Sequence, residues 1–155
     1  MMRLKRPLWT CPRCGHQFIT PNMWHSCGRW RLADHFAGKP RVIRQLFNRL
    51  CKVVRECGPV TIYAQKTRIV FQVRVRFGGV IARYHWLEAG LWLERRAQHP
   101  TLQRVQPFAA YNSHGYGHFF RLTALNQLDD DFAAFVREAY AVGCQTSRTD
   151  QVANA

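Results

Sequence analysis

The sequence predicts an α+β fold, and three observations carry that prediction. Apolar residues recur at helical spacing from Pro40 to Cys57, the chain beyond Gly58-Pro59 breaks into short β-rich runs, and a second amphipathic run closes near Gly143. Together these give a small N-terminal unit, a helix, a mainly antiparallel sheet of about five strands, and a C-terminal helix. The chain has 155 residues, 47% of them hydrophobic and 13% aromatic, enough for one ordinary domain with a small appendage.

Residues 1–36 lack a sustained period and contain Pro7, Pro12, Pro21, Gly15 and Gly28, the punctuation of a loop-rich unit that needs a staple. The staple is legible. Cys11-Pro12-Arg13-Cys14-Gly15 places two thiols on a tight turn, and His25-Ser26-Cys27 offers an imidazole and a third thiol ten residues later. Three cysteines and one histidine make a closed tetrahedral sphere for one structural zinc ion, with no position left for a reacting water. His16 competes with His25 for the nitrogen position, and Phe18, Trp24 and Trp30 are read as the hydrophobic cover of this finger.

In the first helix Val42, Ile43, Leu46, Phe47, Leu50, Val53 and Val54 form one face, and Gly58 with Pro59 stops it. The other face carries Arg41, Arg44, Asn48, Lys52 and Arg55, spaced by three and four into a basic stripe. Strands are expected at Val60 to Ala64, Thr67 to Gln72, Phe77 to Ala82, Leu87 to Glu94, Leu102 to Val105 and His118 to Leu122. Gly78-Gly79 leaves a fork. It reads as a two-residue hairpin turn setting Arg74 opposite Arg83, or as glycines inside a strand with the turn near Val73 to Val75. The closing helix presents Leu128, Phe132, Phe135, Val136, Ala139 and Tyr140 to the core, with Asp129, Asp130 and Asp131 at its positive end. These boundaries give a finger over 1–36, an α+β domain over 37–143 and a tail over 144–155 expected to be disordered.

The formal charge is +14, concentrated early: residues 1–58 hold twelve Lys and Arg against Asp34 and Glu56, a balance of +10. A field of that sign favours polyanions such as nucleic acid or an acidic membrane surface, and it also simply aids solubility. No stretch is apolar enough to span a membrane, and the basic start is not followed by an apolar signal core, so the expectation is a cytoplasmic protein with no membrane partner. Cys51, Cys57 and Cys144 are then buried or incidental thiols in a reducing compartment.

Outside the finger, the strongest candidate site is Tyr111-Asn112-Ser113-His114-Gly115-Tyr116-Gly117-His118, a glycine-flexed loop with two histidines. Lys66 and Arg68 face it or pair with Glu88 and Glu94, which makes Lys66, Arg68, Tyr116 and His118 a candidate ligand pocket. Neither a Walker-type glycine loop nor a dinucleotide fingerprint is present.

With Trp9 to Gly15, Trp24 to Gly28, Asp34 to Pro40, Lys66 to Ile69, Phe71 to Phe77, Gly117-His118, Arg121-Leu122 and Ala134 to Tyr140 laid out, the chain resembles an uncharacterised bacterial family, the domain-of-unknown-function family 5655, in its arrangement with an N-terminal Cys-Cys-His-Cys finger. The domain is also similar to the C-terminal part of predicted transport proteins that begin with a nuclease-like region. The resemblance implies the architecture but no activity, and it favours the second branch of the fork, with the glycines inside a strand.

The functional expectation is a zinc-containing, largely sequence-independent nucleic-acid-binding module, contacting phosphates through Arg13, Arg29, Arg31, Arg41, Arg44, Lys52 and Arg55. This leans away from an enzyme. The rival is a small-ligand-binding or catalytic domain with its pocket at the Tyr111 to His118 loop and the finger as docking element. A protein-interaction adaptor, marked by a large exposed apolar patch, is the third reading.

Overall fold

A computed structural model of the chain describes residues 5–25, 27, 30–110 and 113–146. The N-terminal unit is a two-stranded ribbon, β1 (Trp9–Thr10) antiparallel to β2 (Gln17–Phe18). A short 3-10 turn, Leu32–His35, leads to α1 (Arg41–Glu56). Then come β3 (Thr61–Ala64), β4 (Ile69–Gln72), β5 (Arg76–Ala82), β6 (Leu87–Leu93), β7 (Leu102–Ala110), β8 (Ser113–Leu122) and α2 (Asp130–Cys144). The fold is α+β, as the apolar periodicity predicts, but the sheet has six strands in the order β3-β4-β5-β6-β8-β7, every neighbour antiparallel.

Both helices pack on one face of this sheet, here called inner. Ile43, Leu46, Leu50 and Val54 of α1 are fully buried, one residue per helical turn or so, with Phe132, Val136 and Ala139 of α2 beside them. Asp129 caps α2 by accepting from the Phe132 amide at 2.8 Å, a contact worth about 1 kcal/mol. Along β6, Leu87, Ala89, Leu91 and Leu93 are buried while Glu88, Gly90 and Trp92 are half-buried, the alternation of a strand with only one face under helices.

The fork at Gly78-Gly79 resolves to the second branch. The chain turns at Val73 to Val75, where the Arg74 and Val75 amides donate to the Gly143 carbonyl of α2 at 3.0 and 3.1 Å. Gly78 and Gly79 lie inside β5, opposite Phe71 and Val70, after a bulge that leaves Phe77 as the extra residue. A Cβ on Gly79 would stand 2.3 Å from the Ile69 carbonyl oxygen, so the strands approach too closely for any side chain there.

One expectation fails. The segment read as the Tyr111 to His118 loop is mostly strand: β7 and β8 run further than expected and pair Ala110 with Ser113, so only residues 111 and 112 lie between them, outside the described residues. The tail from residue 147 lies outside them as well.

Candidate metal centre and basic surfaces

The turn after β1 is built for a sulfur-bound ion. The Gly15 amide donates to the Cys11 carbonyl at 2.8 Å, and Gly15 takes φ +75°, a conformation that costs glycine nothing. This folds the Cys14 and Arg13 amides toward the Cys11 sulfur; the Cys14 amide does most to bring the Cys11 thiol down to about 6, with the Arg13 amide adding to it. Cys27 moves the other way, pushed up to about 11 by desolvation of its sulfur and by the neighbouring Cys11 and Cys14 sulfurs. The free cluster therefore holds Cys11 as a thiolate and keeps a proton on Cys27.

Cys11, Cys14, His25 and Cys27 bring their ligand atoms within 4.8 Å of one another. Cys11 Sγ stands 3.6 Å from Cys27 Sγ, and Cys14 Sγ 3.2 Å from His25 Nε2. A tetrahedral thiolate site with metal–sulfur bonds of about 2.3 Å has sulfurs about 3.8 Å apart, close to the 3.6 Å between Cys11 and Cys27, so the four groups are near enough to hold one ion. His25 Nδ1–H donates to the Met23 carbonyl at 2.7 Å, which fixes the tautomer that leaves the Nε2 lone pair facing the sulfurs. His16 is not part of this group: its ring lies 4.0 Å from that of Tyr63 on the sheet, and burial there lowers its pKa, with His25 and Arg76 adding to the shift.

Phe18, 2% exposed, is the finger's core, stacked 4.6 Å from His25 and 6.2 Å from Trp9. Trp24 is 86% exposed, so the cover expected of it is supplied by Trp9 from the other strand. Phe18 also meets the sheet. The Arg76 guanidinium sits over its ring at 5.1 Å and donates through Nε to the Tyr63 hydroxyl at 3.0 Å; that hydroxyl donates to Gln72 Oε1 at 2.8 Å, and Gln72 Nε2 donates to the Gln17 carbonyl. This buried polar chain docks the finger on the outer face of the sheet, opposite α1 and α2. Nothing in the local sequence around Tyr63, Gln72 or Arg76 marks it; period-2 alternation puts the three on one face, but their meeting is a fact of strand register.

The stripe on α1 is where the spacing puts it. Arg41, Lys52 and Arg55 are exposed, joined by Arg49, which the spacing argument passed over. Arg44 is half-buried, its guanidinium 4.7 Å from the Phe36 ring and its Nε donating to Asn48 Oδ1 at 3.2 Å. Arg13 and Arg31 are exposed on the finger, whereas Arg29 lies outside the described residues. The finger docks on the outer face and α1 on the inner one, so the two basic groups approach the sheet from opposite sides.

The candidate ligand pocket does not assemble. His118 is fully buried on the inner face, where Nε2 accepts from the Ala97 amide at 2.9 Å and Nδ1–H donates to the Tyr116 carbonyl at 2.9 Å. Arg96 covers the Tyr116 ring at 4.8 Å. Lys66 is exposed, and Arg68 borders a shallow outer-face cleft with Gly79, Gly90, Trp92 and Phe119. Strand alternation separates the two halves: His118 and Phe119 point to opposite faces. Glu88 pairs with Arg83 at 3.8 Å, not with Lys66, and Arg68 Nε donates to Gln65 Oε1 at 3.1 Å.

Residues 32–143 match the family described as Domain of unknown function (DUF5655). The chain belongs to this family. No curated protein and no solved structure matches it. The DUF5655 match begins at the 3-10 turn and ends at the last turn of α2, so the metal-ligand cluster lies ahead of the matched region. No helix among the described residues is long and apolar enough to cross a membrane.

Proposed function

We propose that this DUF5655 protein is a zinc-organised nucleic-acid-binding module that contacts phosphates with little regard to base sequence. The observation that carries the reading is uncompensated charge. On α1, Arg41, Arg49, Lys52 and Arg55 are exposed with Glu56 as the helix's sole acid, and none of the three ion pairs among the described residues involves α1 or the finger. Cations left without acids on a surface attract a polyanion and release its counterions on contact. Zinc is the ion that three thiolates and an imidazole in a closed tetrahedral set favour, and its part is structural: it holds Arg13 and Arg31 on a rigid unit. None of the six cysteines forms a disulfide, and a reducing, cytoplasmic setting is part of this reading.

Fluorescence anisotropy with labelled single- and double-stranded oligonucleotides tests this. Affinity is expected to fall steeply with salt, with a logarithmic slope of about 0.9 for each phosphate contacted on duplex DNA. Replacing Lys52 and Arg55 together by Gln is expected to weaken binding to every sequence alike and to reduce the slope by about one for each lost contact. A salt-independent affinity sinks the proposal.

A further inference from the structure

Among the described residues, the outer face of the sheet is covered in part. Both helices pack on the inner face, and the finger covers the end formed by Tyr63, Gln72 and Arg76, with Val70 beside it also buried. A sheet face left to water is usually polar; this one carries Trp86, Trp92 and Phe119, all half-buried, among arginines.

Its middle is stripped of side chains. Val70, Gly79, Gly90 and Phe119 lie in register across β4, β5, β6 and β8. The paired glycines leave a trough, and the Phe119 ring leans over its far end, 3.5 Å from where a Cβ on Gly90 would stand and 3.3 Å from one on Gly117. The resulting cleft, about 90 Å³, has Arg68 and Arg76 on its border. Arg76 is 8% exposed and its Nη2 has no hydrogen-bond partner, so the border holds a buried cation short of an acceptor.

The aromatic rings here carry cations on their faces. The Arg104 guanidinium stands 4.2 Å from the Phe119 centroid, and that of Arg121 4.1 Å from Trp86. Both arginines are exposed and neither belongs to an ion pair found among the described residues. Strand alternation adds two acids to this face, Glu88, held by Arg83, and Glu94 at the end of β6. Five arginines (Arg68, Arg76, Arg83, Arg104 and Arg121) oppose them.

We propose that this outer face binds single-stranded nucleic acid, with bases stacked on Phe119 at the end of the glycine trough and phosphates met by Arg104 and Arg121. The inference rests on the nucleic-acid reading above and narrows it. Half-buried rings beside exposed cations fit unpaired bases on a charged backbone, with Arg104 leaving the Phe119 face for a phosphate as a base takes its place, and a duplex, whose bases are stacked inside, cannot use the rings. Stacking accepts every base, in keeping with recognition that ignores sequence.

The test compares a labelled single strand of about fifteen nucleotides with its duplex at one salt concentration, for the wild type, Phe119→Leu with Arg104→Gln, and Lys52→Gln with Arg55→Gln. The wild type is expected to prefer the single strand. The Phe119/Arg104 change is expected to weaken single-strand binding by on the order of tenfold or more while leaving duplex binding unchanged. Arg104→Gln alone, an exposed change, carries the test where Phe119→Leu lowers the melting temperature. Single-strand binding that ignores the Phe119/Arg104 change but falls with the α1 change overturns the platform and leaves the broader function standing. A preference for duplex also overturns it. No binding of either form at low salt removes both proposals.

Discussion

Stripping the metal is expected to unfold residues 5–30 and to leave the sheet and its two helices folded. The ribbon consists of two strands of two residues each, and the hydrophobic unit beneath it is Phe18 with the Trp9 and His25 rings. So little burial cannot offset the chain entropy of about twenty-six residues. Metal bonds would supply the difference, on the order of 10–16 kcal/mol for structural zinc in finger peptides near neutral pH. The wild type is expected to carry one equivalent of metal per chain by elemental analysis, and Cys14→Ser none. On chelation trypsin should cut at Arg13, and the amide signals of Trp9 to Phe18 should collapse while those of β5 and β6 persist. Retention of finger signals in the stripped protein, or a full metal equivalent on Cys14→Ser, refutes the assignment. Acidity should act in the same direction. Loading displaces the proton that Cys27 holds and needs the Cys11 thiolate, so affinity falls as pH falls, most steeply once it drops through the Cys11 value of about 6.

The same chelation has a consequence for the sheet. The finger places Phe18 against the Arg76 guanidinium and the Gln17 carbonyl against Gln72. Without it the buried chain of Arg76, Tyr63 and Gln72 faces water, which solvates it well, so the cost to the rest of the domain is small. The expected independence of the sheet from the finger agrees with a family match that starts at residue 32.

Much of this architecture was legible because it rests on local periodicity. The α1 face, the acidic start of α2 and the ligand pairs Cys11/Cys14 and His25/Cys27 each depend on residues a few positions apart. What was not legible depends on partners far along the chain. Gly78-Gly79 has the local chemistry of a hairpin turn, yet the turn forms at Val73 to Val75 because the Gly143 carbonyl, some seventy residues later, accepts both of its amides. The resemblance to a family placed that turn where the local chemistry did not. The glycines of 115–117 read as loop flexibility, but Gly117 is opposite Trp92, and the Phe119 ring leans over it. The choice between His16 and His25 likewise turned on Tyr63, a residue outside the finger.

Replacing His118 by Ala is expected to cost roughly 3–5 kcal/mol of stability, read as a lower denaturant midpoint at unchanged slope. Two losses add. The substitution opens a cavity beside Phe120, whose ring centroid lies 6.4 Å away, and it leaves the buried Ala97 amide without its acceptor. The folded fraction should bind nucleic acid as the wild type does, whereas a ligand-binding role for His118 would abolish binding with little effect on the midpoint. The imidazole also gives the fold a pH dependence of known sign. Burial holds its pKa below the ordinary 6.5, the contact with the Tyr116 carbonyl and Glu138 oppose this, and Arg95 and Arg96 reinforce it. The unfolded chain therefore takes up a proton that the folded one refuses. This contribution to stability is complete above about pH 6.5 and is lost as pH falls below it, by at most about 1.4 kcal/mol per pH unit, until the folded histidine itself protonates. His118→Ala removes this component, so the wild-type and variant stability curves should converge as pH falls from 7 to 5. Parallel curves over that range would mean that the folded histidine takes up its proton as the unfolded one does, and curves that separate as pH falls would mean a protonated histidine in the fold whose Nε2 does not accept from Ala97.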